Sequence, residues 1–173
     1  MLDDYSRFVL ASDLKPDMTA HSISDVVEQA VAFTGIRQVP IEDRTQLLGD
    51  HGSGYLARVF EEYLRMLAIR HIYCAPHHPQ TNGKIERFHE TLKARMNLLV
   101  YTSPDELRRT MQDFIEYYNH RRYHEAIGNV PRRMSTTDGG KKSYAEGPNR
   151  NNARLSSGCV TIWAAGTRNQ GWN

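Results

Sequence analysis

The feature that most constrains the fold is a strand, a helix and a second strand in close succession between Thr45 and Ala75. The run TQLLGD ends at Asp50, and a turn with two glycines leads into the stretch YLARVFEEYLRMLAI, after which the apolar run RHIYCA follows. The middle stretch places its apolar residues on one helical face. Strands that alternate with helices are typical of an α/β domain, in which helices cover a sheet.

An apolar run and an amphipathic stretch precede this unit. Residues 5–14 predict a strand, and the stretch SISDVVEQAVAFTG predicts a helix. Ser22 or Ser24 is the candidate N-cap of this helix, and Gly35 is its stop.

Two further helices are predicted after the second strand. The first covers about residues 83–100. The second has the clearest start signal in the chain, because Ser103 is an N-cap, Pro104 occupies the first helical position and Glu106 completes a capping box. We therefore expect one α/β domain over residues 1–133. Beyond it, Gly, Ser, Asn and Thr dominate residues 134–173, which predicts a disordered tail.

Composition narrows the class of protein without identifying it. A length of 173 residues suits one domain, and a net charge of +2 is too small to argue for nucleic acid by itself. Two cysteines, Cys74 and Cys159, make no disulfide framework, so a reducing cytoplasm is expected. No apolar stretch approaches the length of a membrane span.

Two acidic residues are candidates for a shared site. Asp50 closes a strand, and Glu86 lies in the predicted first turn of a helix, where backbone N–H groups favour negative charge. The 35 residues between them hold one helix and one strand, enough to bring the chain back alongside its earlier position. Two such carboxylates can bind Mg²⁺, and a pair of ions can serve phosphodiester chemistry. The alternative remains that Asp50 caps the following helix and Glu86 is an ordinary first-turn acid.

A zinc site is the main rival use of the histidines in HIYCAPHH. His71, Cys74, His77 and His78 carry suitable donor atoms, but a structural zinc site usually brings a second paired cluster. The other cysteine, Cys159, is alone in the predicted tail. We therefore expect His77 and His78 to shape a loop at the site instead.

Four motifs carry a resemblance to a known family. In chain order they are DDYSR, GDHGSGY, APHHPQTNGKIERFHETLK and YYNHRRYHEAIGNV, and together they extend from Leu2 to about Val130. They resemble the catalytic domain of integrase-like transposases from bacterial insertion sequences. Those proteins share a ribonuclease-H-like fold with retroviral integrases and use an Asp-Asp-Glu triad. The resemblance implies an α/β, ribonuclease-H-like mixed sheet flanked by helices.

The resemblance also implies roles for individual residues. Asp50 would be the second triad acid and Glu86 the third, both catalytic and both ligands of Mg²⁺ or Mn²⁺, with a two-metal site in the full-length enzyme. Asn82, Lys84 and Lys93 would contact DNA. The implied function is DNA integration or transposition, with transposon ends and target DNA as partners and a homo-oligomer as the assembly.

In the family, the first triad Asp lies on a strand upstream of the DDYSR motif, next to the strand that ends at Asp50. Because DDYSR starts two residues after Met1, we expect the chain to lack that strand and to be inactive by itself. A non-catalytic DNA-binding or interaction remnant of a transposase is the alternative. One choice of codons for residues 131–142 also reads in another frame as the family's continuation, so residues 134–173 are expected to be a frameshifted or disordered tail.

Overall fold

The computed structural model describes most of the chain up to residue 124 and four strand segments beyond it. The described residues are 1–4, 6–73 and 79–124, followed by 130–131, 137–138, 141–142 and 159–161.

Helices and strands alternate through the first half of the chain. The described helices are α1 (Ala20–Thr34), α2 (Arg58–Met66), α3 (Pro79–Met96) and α4 (Pro104–His120). The described strands are β1 (Leu2–Asp3), β2 (Gln46–Gly49), β3 (His71–Tyr73), β4 (Tyr123–His124), β5 (Val130–Pro131), β6 (Thr137–Asp138), β7 (Lys141–Lys142) and β8 (Cys159–Thr161).

The central sheet has four strands in the order β1–β8–β2–β3. Strand β2 runs parallel to both β3 and β8, whereas β1 is antiparallel to β8. Helix α2 connects the parallel strands β2 and β3, so the predicted strand–helix–strand unit is present. The mixed sheet with its helices confirms the predicted α/β class. Strands β4 and β5, and likewise β6 and β7, form separate antiparallel pairs.

Two apolar clusters hold the helices against this sheet. Helices α1 and α2 enclose one cluster with Val27 and Phe60 at its centre, and α3 and α4 enclose the other with Leu2, Ile85 and Tyr118. All five side chains are at most 4% exposed. None of the described helices is both long and apolar enough to cross a membrane.

A turn that follows β1 interrupts the strand predicted over residues 5–14. Among the described residues of that run, Val9 alone pairs with β1, through an isolated antiparallel bridge. The Asp3 carboxylate accepts the backbone N–H of Ser6 at 2.7 Å, and Arg7 adopts a left-handed φ of 63°. Local hydrogen bonds from an Asp side chain stabilise turns at the expense of extended structure. This competition explains why the apolar run does not form a continuous strand.

The start of α1 differs from the prediction, and its end agrees with it. Thr19 is the N-cap, because its hydroxyl accepts the backbone N–H of Ser22 at 3.3 Å, so neither Ser22 nor Ser24 caps the helix. Gly35 ends it with a φ of 65°, as the stop signal predicts.

The start of α4 agrees with the prediction except for one hydrogen bond. The Ser103 hydroxyl accepts the N–H of Glu106 at 3.2 Å, which confirms the predicted N-cap. The Glu106 carboxylate, however, accepts the backbone N–H of Thr102 at 2.8 Å, one residue before the position of a standard capping box.

At the other end of α4, Asn119 holds the bridge residue Val9 in place. Val9 donates its backbone N–H to Oδ1 of Asn119 at 2.9 Å, and Nδ2 of Asn119 donates to the Val9 carbonyl at 3.0 Å. Asn119 is only 4% exposed. Its side-chain amide therefore acts towards Val9 as a neighbouring strand would.

Part of the predicted tail belongs to the sheet. Strand β8 lies between β1 and β2 and is in register with both, which sequence reasoning did not anticipate. This is the place that the family resemblance assigns to a strand upstream of DDYSR. Apart from β8 and the β6–β7 pair, the residues of the predicted tail lie outside the described ones.

Candidate active site

Asp50 lies at the C-terminal edge of the parallel strand pair. It follows the last residue of β2 directly, and its Oδ1 accepts the backbone N–H of Gly52 at 2.8 Å. The N-cap of α2 is Ala57, without a side-chain hydrogen bond, so Asp50 does not cap that helix. No hydrogen bond from a described residue reaches Oδ2 of Asp50. The Gly52 N–H thus orients one oxygen of the carboxylate.

The glycines around Asp50 are required by close contacts. A β-carbon added to Gly49 or Gly52 would lie 2.7 or 2.9 Å from a side-chain atom. On Gly54 it would lie 2.3 Å from the backbone carbonyl oxygen of Met18, which has little freedom to move. The glycine-rich turn after β2 therefore allows the backbone to pass close to its neighbours.

We expect Gly54→Ala to lower the free energy of unfolding by about 2 kcal/mol, because the added methyl group overpacks a backbone contact. Gly83 in α3 is the matched control, since a β-carbon there meets no atom within 4 Å. Gly83→Ala should raise stability by roughly 0.5–1 kcal/mol through helix propensity. Urea denaturation of both variants measures the difference. A change of the same sign in both would contradict the reading of the Gly54 contact.

Glu86 lies on the solvent side of α3. The helix begins at Pro79, so Glu86 is its eighth residue and not part of its first turn, which corrects the prediction. Proline suits the first position of a helix, and this explains the earlier start. The neighbouring Ile85 is 2% exposed and anchors the helix to the sheet, whereas Glu86 is exposed. No described residue forms a hydrogen bond or ion pair with the Glu86 carboxylate.

The candidate metal ligands at this site are two carboxylates, which suit a hard divalent cation. Asp50 and Glu86 offer carboxylate oxygens, the ligands that Mg²⁺ prefers. Among the residues that the structure describes, no three or more His, Cys, Asp or Glu side chains come together to hold a metal. Convergence of Asp50 and Glu86 on one hydrated cation therefore stays a prediction.

The predicted DNA contacts differ in their surroundings. Lys84 donates to the Asp4 carboxylate at 2.6 Å, which fastens α3 to the end of β1. Lys93 is exposed, roughly 10 Å beyond Glu86 along the helix. Asn82 belongs to α3, but its side chain lies outside the described ones. The positive charge of Lys93 is thus better placed for a phosphate than that of Lys84.

His89, one turn after Glu86, is kept neutral by its surroundings. Burial lowers the pKa of His89 to about 4, with smaller repulsive contributions from the Met1 ammonium and Lys93. In the unfolded chain a histidine has a pKa of about 6.5. The unfolded state therefore binds the proton first as the pH falls from 6.5 to 4, and the folded state loses stability over this window.

We expect this loss to be about 2 kcal/mol, after allowance for partial exposure. Urea denaturation between pH 4 and pH 7 should show it in the unaltered chain. His89→Asn should reduce it and leave the part that comes from the buried Met1 amine, whose pKa burial lowers to about 5. His21, whose side chain is 89% exposed, provides the control His21→Asn. An identical pH dependence in the two variants would rule out His89 as the cause.

Sequence reasoning missed a side-chain network behind Asp50. His71, considered above only as a zinc ligand, has its Nδ1 2.6 Å from Oε1 of Glu61, and Tyr73 donates its hydroxyl hydrogen to the same oxygen. Glu61 lies on α2, and its two partners lie on β3. No motif marks Glu61, because its contacts depend on how the helix docks on the sheet.

Two family models match the chain. Both are described as integrase core domain, and they match residues 1–79 and 67–131. The Gag-Pro-Pol polyprotein of squirrel monkey retrovirus is 33% identical over 98 residues, which make up 57% of this chain and 5% of the polyprotein. An uncharacterized 39.2 kDa protein of insertion element IS476 from Xanthomonas euvesicatoria is 26% identical over 132 residues, or 76% of this chain and 36% of that protein. The chain thus spans only a minor part of these relatives.

Solved structures share the fold. The HTLV-2 integrase catalytic core domain in complex with magnesium (trimeric form) matches with a TM-score of 0.58 and 18% identity, over 76% of this chain and 78% of that one. A chain of the simian T-cell lymphotropic virus intasome, in complex with PP2A regulatory subunit B56 gamma, matches with a TM-score of 0.62 and 20% identity, over 85% and 50%. These likenesses confirm the predicted ribonuclease-H-like fold.

Proposed function

Because the chain belongs to the integrase core domain family over residues 1–131, we propose that its site serves metal-dependent cutting and joining of DNA in integration or transposition. The observation that carries this proposal is the place of Asp50, directly after β2, where the Gly52 N–H orients its carboxylate. Glu86 on α3 supplies a second carboxylate, which is exposed.

Asp50 and Glu86 are the residues that would hold a divalent cation. When bound, such a cation activates water and stabilises the leaving oxygen of a phosphodiester. The HTLV-2 neighbour is described in complex with magnesium, which supports Mg²⁺ or Mn²⁺ as the choice. The protein's own contribution is orientation, since the Gly52 N–H fixes Oδ1 of Asp50 before any ligand arrives.

DNA is the proposed partner, both as transposon ends and as target. Lys93 offers an exposed charge for a backbone phosphate on the same helix as Glu86. Lys84 would contribute to DNA binding only if DNA displaced its ion pair with Asp4. Because the HTLV-2 core domain is described in trimeric and dimeric forms, we propose a homo-oligomer as the working assembly. The cytoplasm is its proposed location, on the cysteine content alone.

The 173-residue chain by itself is proposed to be inactive. A two-metal site of this family uses three carboxylates, and Asp50 and Glu86 are the two that we assign to it. With two carboxylates alone, ions would be held weakly and the nucleophile would be misplaced, which would cost transition-state stabilisation.

Nicking of supercoiled plasmid DNA with Mg²⁺ or Mn²⁺ tests both statements. We expect no nicking by the chain alone, and metal-dependent nicking by a version extended upstream with a strand that carries the first triad Asp. Equal activity in both would refute the proposed inactivity. If neither nicks, and both retain labelled DNA without metal, the chain is a non-catalytic DNA-binding remnant.

A further inference from the structure

The residues before and after Asp50 both rest against side chains of β3. A β-carbon on Gly49 would lie 2.7 Å from Nε2 of His71, so this ring nitrogen faces the Gly49 backbone directly. On the other side, the His51 ring stacks on the Tyr73 ring, with centroids 5.3 Å apart and planes 29° apart. The turn that presents Asp50 is therefore supported at both ends.

Glu61 joins these two supports. Its Oε1 is shared by His71 Nδ1, at 2.6 Å, and by the Tyr73 hydroxyl. Partial burial opposes the negative charge, but the hydrogen bonds from Tyr73 and His71 hold the pKa of Glu61 below its usual value. Burial and the Glu61 charge raise the pKa of Tyr73 to about 12. Glu61 is thus ionised and Tyr73 remains a donor at neutral pH.

One ring nitrogen of His71 is not used in the hydrogen-bond network of the described residues. Its side chain is 3% exposed, and its Nε2 is buried without a hydrogen-bond partner among the described residues. An unpaired buried nitrogen costs stability, and each such exception calls for an explanation. A role in positioning would explain this exception. Glu61 holds the His71 ring, and the ring contacts the backbone next to Asp50 and keeps that backbone from moving.

We propose that Glu61, His71 and Tyr73 are positioning residues, which hold the turn around Asp50 so that its carboxylate is oriented for a divalent cation. The inference rests on the proposed function, because it takes Asp50 as a metal ligand. Groups that orient metal ligands from behind typically change metal affinity 10- to 100-fold when they are removed. The network would therefore contribute to metal binding without touching the metal.

Binding of Mn²⁺ near Asp50 can be measured without any catalytic reaction. The bound Mn²⁺ broadens the amide NMR signal of Gly52, whose N–H contacts the carboxylate. Glu61→Gln removes the charge at a side chain that is 41% exposed, so the variant should fold. Its neighbour Glu62, which pairs with Arg58 on the surface of α2, provides the matched control Glu62→Gln.

We expect Glu61→Gln to raise the Mn²⁺ concentration for half-maximal broadening by about tenfold, with only a small decrease in the melting temperature. Glu62→Gln should leave it unchanged, and His71→Gln should act like Glu61→Gln. Equal affinities in Glu61→Gln and Glu62→Gln would overturn the inference.

A metal-free measurement separates this inference from the proposed function. If Mn²⁺ broadens no signal even in a version of the chain that carries the third carboxylate, the metal role of Asp50 fails, and amide hydrogen exchange at Gly52 decides the positioning role. Faster exchange in Glu61→Gln than in Glu62→Gln then keeps Glu61 as a positioning residue. Equal rates in the two variants overturn it.

Discussion

Asp50→Asn and Glu86→Gln should each lower metal-dependent nicking by a factor on the order of 10³, in a version of the chain that carries the third carboxylate. Each substitution removes a negatively charged oxygen ligand and leaves a weak amide ligand of similar shape. Such a factor corresponds to about 4 kcal/mol of transition-state stabilisation. Initial rates of plasmid nicking at saturating Mn²⁺ measure it.

The control for this prediction is Glu90→Gln. Glu90 is exposed on α3 one turn beyond Glu86, so the substitution removes the same charge without removing a proposed ligand. It should retain nearly full activity. A comparable loss in Glu90→Gln would show that charge on the helix matters rather than ligation. Retained activity in Asp50→Asn would remove Asp50 from the chemistry altogether.

Asn119→Ala should lower the free energy of unfolding by about 4 kcal/mol, the largest change in stability that we expect. The substitution leaves the N–H and the carbonyl of Val9 without their partner in a buried place, and each unpaired group costs about 1–3 kcal/mol. The truncated side chain also leaves a small cavity. Urea denaturation, with fluorescence and circular dichroism as probes, gives the value.

Asn97→Ala serves as the control, because Asn97 is exposed just after α3. It should change stability by less than about 0.5 kcal/mol. Asn119→Asp adds a second comparison, since it keeps the acceptor for Val9 but loses the donor and buries a charge. If Asn119→Ala costs under about 1 kcal/mol, solvent reaches Val9 and the strand-like role of the amide is wrong.

The elements with dense local signals could be predicted from the sequence. Helix α4 is marked by the Ser103 cap and by apolar residues at helical spacing, and the β2–α2–β3 unit is marked by its alternation of apolar runs. These signals act within a few residues, so the rest of the fold does not need to be known. The position of Asp50 at a strand end could be predicted for the same reason.

Features that depend on distant contacts could not be predicted in this way. The hydrogen bonds of Asp3 compete with extended structure, and an apolar pattern does not reveal this competition. Glu61 becomes important only when α2 docks against β3, and nothing near it in sequence indicates His71 as its partner. The turn residues before Gly83 predict a start of α3 near residue 83, whereas the helix begins at Pro79.

The place of β8 has a consequence for the order in which the protein assembles during synthesis. Strand β1 does not pair with β2 directly, and β8, which joins them, follows β2 by more than a hundred residues. The apolar cluster between α1 and α2 can therefore pack early, while the chain is still on the ribosome. Strand β1 and the cluster between α3 and α4 can join β2 only after residues 159–161 have been synthesised. During that interval β2 presents an unpaired edge, which another extended chain can occupy. Contacts of such long sequence separation form slowly, so the sheet should close last and only after translation has passed residue 161.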